Sequence, residues 1–402
     1  MEVKNLELEK YKEHVFRCYK CAYCVDTVSN YSLGGPIPPR GVDGVCMIYE
    51  LKRFDHYTSR GRLAIARALL QNEIQYSPGL VELTYMCLTC GNCTKQCMGN
   101  PEIPGAGIDT PAIVEAMRAD IVDAGMAPKA AQVFASRIEA DHNPFRKSKE
   151  KRMEWSKDLN IPDKVEAETI LFAGCTPSYL TNEIKDTVRI LNSANIDFTL
   201  LKDEWCCGSP LLSLGYRKLA NEMALHNKEI IEKTKCKQVV FTCPACYKVF
   251  KTDYPKMVGK LPFEVKHITE LIDELIKGGN LKLTKSIEKK VTYHDPCHLG
   301  RHSGVYEQPR DILKAIPGLE FIDMYPNRDN AWCCGIGSIV NFLYGDISQN
   351  IAAKKINRIN EMGVQSLVSA CPSCKLNLTD AINRTKSPLE FYDLVELVAK
   401  SI

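Results

Sequence analysis

Of the 19 cysteines in the 402-residue chain, 18 fall into four recurring sets, most of them closely spaced. Cys18, Cys21 and Cys24 are each separated by two residues, and Cys46 follows further on. Cys87, Cys90 and Cys93 repeat that spacing, with Cys97 after three more residues. Two later sets share another order: Cys175, Cys206-Cys207-Gly208 and Cys243-Pro-Ala-Cys246, then Cys297, Cys333-Cys334-Gly335 and Cys371-Pro-Ser-Cys374. Thiolates are soft donors that suit zinc or iron–sulfur clusters. Tetrahedral zinc takes four ligands. Three closely spaced thiolates on one loop reach three irons of a cubane, a fourth arrives from elsewhere, and five thiolates per later set exceed what zinc accepts. The pattern therefore points to iron.

The second group has the ferredoxin spacing, in which the fourth cysteine serves the other cluster. That exchange assigns Cys18, Cys21, Cys24 and Cys97 to one cubane, and Cys87, Cys90, Cys93 and Cys46 to the other. Two departures stand out: a Gly- and Pro-rich insertion at 25–45, which reads as a surface loop, and Met47 and Met98 where proline usually follows the fourth cysteine. In the later sets, adjacent cysteines can hold neighbouring irons of an extended cluster. A fifth thiolate can bridge two irons of an opened one. Gly208 and Gly335 are expected to leave room for the inorganic core. Cys236 stands outside every group and reads as a small buried hydrophobe.

These thiolates need elements to bring them together. Residues 1–165 carry eight cysteines among Gly/Pro loops and helical segments, with apolar helical periodicity at 60–70 and 111–124 and Thr110 as an N-cap before Pro111. Beyond 166, short apolar strands alternate with helical segments, which argues βα units around a parallel sheet. Strands are expected at 168–173, 198–201, 238–242, 289–293, 320–324 and 365–370. Matching cysteines recur 122 to 128 residues apart, the mark of a tandem duplication. In each half every cysteine group follows a strand, where open parallel sheets gather ligands. The expected fold is thus α/β: a helical ferredoxin-like two-cluster domain (1–165), then two Rossmann-like βα repeats (166–288 and 289–402).

Composition narrows the function classes. Hydrophobic residues make up 45% and charged residues 25%, as in ordinary globular proteins, and a net charge of +3 gives no nucleic-acid footprint. The charged N-terminus lacks a signal-peptide apolar region, so disulfides are not expected. No apolar run reaches the length of a membrane span. A cytoplasmic placement is expected, with any link to the inner face of the membrane made through a partner subunit.

The duplicated Cys-x(30–35)-Cys-Cys-Gly-x(34–35)-Cys-Pro-x-Cys pattern, preceded by two ferredoxin-like motifs, resembles the cysteine-rich domains of heterodisulfide reductase, in the order found in the D subunit of that enzyme. The stretches Tyr293-His-Asp-Pro-Cys-His-Leu-Gly-Arg301 and Cys333-Cys-Gly-Ile-Gly337 are specific to the resemblance. Iron–sulfur subunits of glycolate oxidase, lactate-utilisation and anaerobic glycerol-3-phosphate dehydrogenase systems share the architecture. The resemblance implies a noncubane [4Fe-4S] cluster in each five-cysteine set, besides two cubane [4Fe-4S] clusters. It also implies a small-molecule disulfide substrate and a flavin- or haem-containing redox subunit as partner. Protons for disulfide reduction would come from His294, His298 or His302, and Arg301 could hold an anionic group; each could equally serve only to pack, tune the cluster or face solvent. Arg60 and Arg62 read as a charged helix face. The alternative is an electron relay linking a flavin dehydrogenase or electron-transferring flavoprotein to quinone or a low-potential acceptor.

Overall fold

The computed structural model describes residues 6–25, 44–98, 107–159, 161, 164–180 and 183–402. Most of the 25–45 insertion lies outside the described residues. The chain divides into two compact units: Met1–Val133 with Pro210–Arg217 and Pro326–Lys355, and Phe134–Ser209 with Lys218–Tyr325 and Ile356–Ile402.

The first unit is helical. Its principal helices are Ser59–Leu70, Pro78–Tyr85 and Thr110–Asp123, each burying an apolar stripe that includes Leu63, Ala66, Val81, Ile113, Val114 and Met117. Thr58 and Ser77 cap the first two, their hydroxyls accepting from Gly61 N at 3.2 Å and Leu80 N at 3.3 Å. The third starts one residue earlier than its sequence suggests: Asp109 is the N-cap, accepting from Ala112 N at 3.1 Å. Thr110 is already helical, and its hydroxyl lies 2.7 Å from Ser59 Oγ.

The second unit contains two parallel four-stranded sheets. One is β1 (Thr169–Phe172), β2 (Phe198–Leu200), β3 (Gln238–Phe241) and β4 (Glu264–His267), in the order β2-β1-β3-β4. The other is β5 (Lys289–Tyr293), β6 (Leu319–Phe321), β7 (Ser366–Ser369) and β8 (Glu390–Asp393), in the order β6-β5-β7-β8. The duplication read from the cysteines is thus a duplication of sheets. Strands β1 and β7 are buried at every residue, as parallel strands covered on both faces must be. Phe172, Phe241 and Phe250 pack with centroids 4.7 to 5.2 Å apart, each contributing roughly 1.5–3 kcal/mol through burial. The half-exposed edge strands β4 and β8 each run directly into a capping box, His267 with Glu270 and Asp393 with Glu396, that starts the next helix. In both sheets the chain steps from the central strand to one neighbour and then across to the other side, so the strand ends flank a topological switch point, the place where open α/β sheets gather ligands.

Candidate metal centres

The two ferredoxin-like loops share one backbone pattern. Lys20 and Ala22 in the first, and Thr89 and Gly91 in the second, sit at φ of 61°, 71°, 43° and 74°, in matching positions between the cysteines. Left-handed φ at three non-glycine residues costs energy and persists only where the surroundings impose it. The alternation curls each loop around its three thiols. Cys46 joins Cys87, Cys90 and Cys93 in lining one cavity, and Asn92 Nδ2 ties this loop to Val45 O at 3.1 Å, just before Cys46. Burial raises the Cys93 thiol well above its ordinary value, with Cys90 and Cys87 adding to it, and burial raises Cys46. In the other loop Cys24 is pushed up to about 11, mainly by burial, and it feels Cys18 and Cys97 through space. Tyr19, exposed beside Cys21, feels Cys97 as well. Cys46, Cys87, Cys90 and Cys93 thus surround one cavity, and buried thiols that resist ionisation as free acids suit a cation that takes up their charge.

Arg62, expected on a charged face, is instead buried at 2% exposure, lines the cavity with Cys46 and donates to Tyr57 O. Arg60 does stay near the surface, paired with Asp55 at 2.8 Å.

In the first sheet every cysteine lies past a strand end. Cys175 opens a short helix after β1, Cys206 and Cys207 follow β2, and Cys243 caps the helix after β3 that carries Cys246. The five thiols are linked by side-chain hydrogen bonds: Cys175 donates to Cys206, Cys206 donates to Cys207, and the single S–H of Cys246 is shared between Cys207 and Cys243. Donation from Cys206 and Cys246 lowers Cys207 to about 6, and donation from Cys246 lowers Cys243. Five neighbouring thiols linked one to the next, two of them lowered by their partners, have the chemistry of a thiolate-rich metal site.

Gly208 does not play its expected part. A Cβ there would meet Ala220 O at 3.3 Å, so the glycine, at φ +83°, lets the loop approach a helix. Gly174 is the glycine that faces the thiols: its Cβ would sit 3.5 Å from Cys246 Sγ and 3.9 Å from Cys243 Cβ.

Around this site stand residues the sequence did not single out. Arg152 Nη1 lies 3.6 Å from Cys175 Sγ, and Arg152 pairs with Glu204, both buried. Glu204 also accepts from Ala173 N at 2.7 Å and Gly174 N at 2.9 Å, fixing the turn that delivers Cys175. The Trp205 ring lies between those of His142 and His226, at 3.5 and 3.7 Å. Asn227 Nδ2 donates to Cys206 O at 3.1 Å, and Tyr254 OH to Cys207 O at 3.1 Å. Tyr254 follows a π-helical turn, Val249–Asp253, and such widened turns recur at functional sites. Cys236 is buried, as expected of a small hydrophobe, its N–H donating to Thr234 Oγ1 at 3.4 Å.

The second sheet places Cys297 on the turn after β5, and Cys371 as N-cap of Pro372–Thr385, where its sulfur accepts from Cys374 N at 3.4 Å. Cys333 and Cys334 are buried in the first unit, where Gly335 N approaches Cys333 Sγ at 3.5 Å. His294 is buried directly after β5, its N–H donating to Val368 O at 2.8 Å, and a ring nitrogen lies within 4.8 Å of Cys374 Sγ. The rings of His298 and His302 meet edge-on at 5.1 Å, and His302 N donates to Cys297 O at 3.1 Å. Arg301 is buried at 6% exposure, which removes the solvent-facing reading. Asp295 is the buried partner of Arg310, with both contacts at 2.8 Å.

Signals for the missed residues were uneven. Arg118, in the third principal helix, interrupts the apolar stripe of Val114, Met117 and Ile121, and a lone charge on a buried face is a readable anomaly. Arg152 sits in Lys-Glu-Lys-Arg, which reads as surface.

The 4Fe-4S dicluster family model matches residues 14–100, and the cysteine-rich domain model matches 169–251 and 291–379. The D subunit of dihydromethanophenazine:CoB–CoM heterodisulfide reductase from Methanosarcina barkeri is 35% identical across the whole chain and 97% of the relative. The EtfAB:quinone oxidoreductase of Syntrophomonas wolfei is 27% identical across the whole chain and 60% of the relative. The iron-sulfur-binding oxidoreductase FadF of Bacillus subtilis, itself named as probable, is 29% identical over 96% of the chain and 60% of the relative. With a dicluster domain followed by two cysteine-rich repeats and a relative 35% identical across the whole chain, the chain belongs to the family of iron–sulfur oxidoreductase subunits typified by the D subunit of heterodisulfide reductase.

Proposed function

We propose that the chain is the disulfide-reducing subunit of a multi-subunit complex. Cys18, Cys21, Cys24 and Cys97 hold one cubane [4Fe-4S] cluster, and Cys46, Cys87, Cys90 and Cys93 the other. Cys175, Cys206, Cys207, Cys243 and Cys246 hold one noncubane [4Fe-4S] cluster, and Cys297, Cys333, Cys334, Cys371 and Cys374 a second. The observation that carries this reading is the continuous chain of five thiol contacts in the first repeat, a set too large for a four-cornered cluster. The second repeat keeps all five counterparts.

When bound, such clusters supply electrons singly, and cleavage of one disulfide to two thiols consumes two electrons and two protons. The protein's part is to hold the thiolates, exclude water and deliver the protons. His294, buried within reach of Cys374, is the foremost proton carrier of the three histidines, with His298 and His302 behind it and Arg301 holding an anionic group of the substrate. The partner is a flavin- or haem-containing redox subunit, and the substrate a small heterodisulfide, of the CoM–CoB type named for the Methanosarcina relatives. The working division is 1–165, 166–288 and 289–402, and the placement is cytoplasmic, with membrane contact through the partner. Among the described residues no helix is long and apolar enough to cross a membrane.

The names of the Syntrophomonas and Bacillus relatives favour a second reading, a relay between an electron-transferring flavoprotein and quinone. Anaerobic assay of the purified, cluster-loaded chain with reduced viologen and a small heterodisulfide separates the two. Thiol production by the chain alone supports catalysis; clusters that reduce and reoxidise without thiol production assign it to the relay.

A further inference from the structure

Arg118 is completely buried, at 0% exposure, near the middle of the helix Thr110–Asp123. Its guanidinium reaches three separate stretches of the first unit. Nη2 donates to Cys87 O at 2.7 Å, Thr84 O at 2.8 Å and Tyr85 O at 3.2 Å, and the group lies 5.1 Å from the Tyr85 ring centroid. Nη1 donates to Ser213 O at 2.6 Å and to Ser338 Oγ. Ser213 lies six residues past Cys207, and Ser338 four past Cys334. Ser338 and Ile339 are held at φ of 53° and 61°, a costly turn that presents the hydroxyl. Both stretches press close: a Cβ on Gly215 would lie 2.5 Å from the Arg118 carbonyl, and one on Gly337 2.4 Å from Leu88 O. Among the described residues these acceptors are all neutral. Burial acts against the charged guanidinium, and its hydrogen bond to Cys87 O holds it against a residue of the second ferredoxin-like loop.

A cation taken out of water without a hydrogen-bonded carboxylate is costly unless another negative charge stabilises it. The cluster proposed at Cys87 is that charge, and its reduction makes it more negative. We propose that Arg118 is a positioning residue for this centre: it clamps the 84–87 turn to the stretches that follow both Cys-Cys-Gly motifs, and its permanent charge raises the reduction potential of the cluster held by Cys46, Cys87, Cys90 and Cys93. Buried as it is, the charge escapes the salt screening that would mute a surface arginine. The proposal rests on the cluster assignment above.

The test is a mediated redox titration of the anaerobically purified chain, followed by electron paramagnetic resonance, in which each cluster takes one electron from a reduced viologen dye and the dye is oxidised by one. In R118Q the Cys46/Cys87 cluster is expected to become at least tenfold harder to reduce at a given potential, a shift of 59 mV for a one-electron couple. The Cys18/Cys97 cluster should not move. R118K, which keeps the charge but not the planar fork, should stay within twofold of the wild-type equilibrium while losing thermal stability. An unmoved R118Q potential, or equal shifts in both clusters, overturns the proposal. Should R118Q fail to load iron, R118K decides alone, and a tenfold displacement in that variant is the contrary result. A wild-type chain without iron defeats the cluster assignment itself before any titration begins.

Discussion

Replacing Glu204 by alanine removes one half of a buried ion pair whose side chains are 5% and 2% exposed, and strands Arg152 beside the Cys175 sulfur. Breaking such a pair from one side costs about 3–5 kcal/mol, because the remaining charge stays out of water. The amides of Ala173 and Gly174 lose their acceptor in the same step, each worth roughly 1–3 kcal/mol if left unsatisfied, in part overlapping with the first figure. A net loss of about 4 kcal/mol corresponds to a fall of about 8–16 °C in the melting temperature of a unit this size. Anaerobic urea unfolding followed by circular dichroism measures it. The double variant Arg152→Met/Glu204→Leu removes both charges and should recover a large part of the loss, leaving the amide contribution. A Glu204→Ala loss below about 1 kcal/mol, or a double variant no more stable than the single one, refutes the view that this pair holds the Cys175 turn.

Three further outcomes follow from the geometry. Cys46→Ala should abolish the same paramagnetic signal as Cys87→Ala, and Cys97→Ala the same signal as Cys18→Ala; the opposite pairing refutes the exchanged ligands. Burial pushes His267 down to about 3 from 6.5, so the unfolded chain takes up a proton first, and stability present above pH 6.5 is lost as pH falls toward 3. One pH unit below 6.5 that loss is about 1.4 kcal/mol; His267→Asn, which keeps a cap acceptor, should flatten the slope in pH-dependent urea unfolding, and an unchanged slope contradicts the assignment. Gly215→Ala should cost about 2 kcal/mol or more, since φ is +95° and the new methyl meets the Arg118 backbone, and a thermal midpoint equal to wild type argues against that close contact.

What the sequence discloses here follows the physics of each feature. Strands β1, β3, β5 and β7 are read within two residues because each carries a short stretch rich in apolar and β-branched residues (Ile-Leu-Phe, Val-Val-Phe, Val-Thr-Tyr and Leu-Val) that ends two to four residues before a cysteine. The edge strands β4 and β8 read as Glu-Val-Lys-His and Glu-Phe-Tyr-Asp, half exposed and without that run, and only the capping boxes after them could have marked their ends. Thiol spacing implies the cysteine groups directly, since a metal needs several donors at one point. Arginine carries no such signal. Arg62, Arg118 and Arg152 are usually surface residues by type, and only the tertiary fold turns them inward onto carbonyls, carboxylates and thiols. The role expected of Gly208 fails for the same reason: glycine announces a close approach, but not which neighbour approaches.

The proposed function requires eighteen cysteines of this chain to hold iron in four separate centres. Anaerobic purification followed by iron and zinc quantification, with electron paramagnetic resonance of the reduced protein, tests it directly. The expected result is a brown protein with about sixteen irons per chain, negligible zinc and four distinguishable centres. A folded, colourless chain carrying zinc or no metal would contradict it.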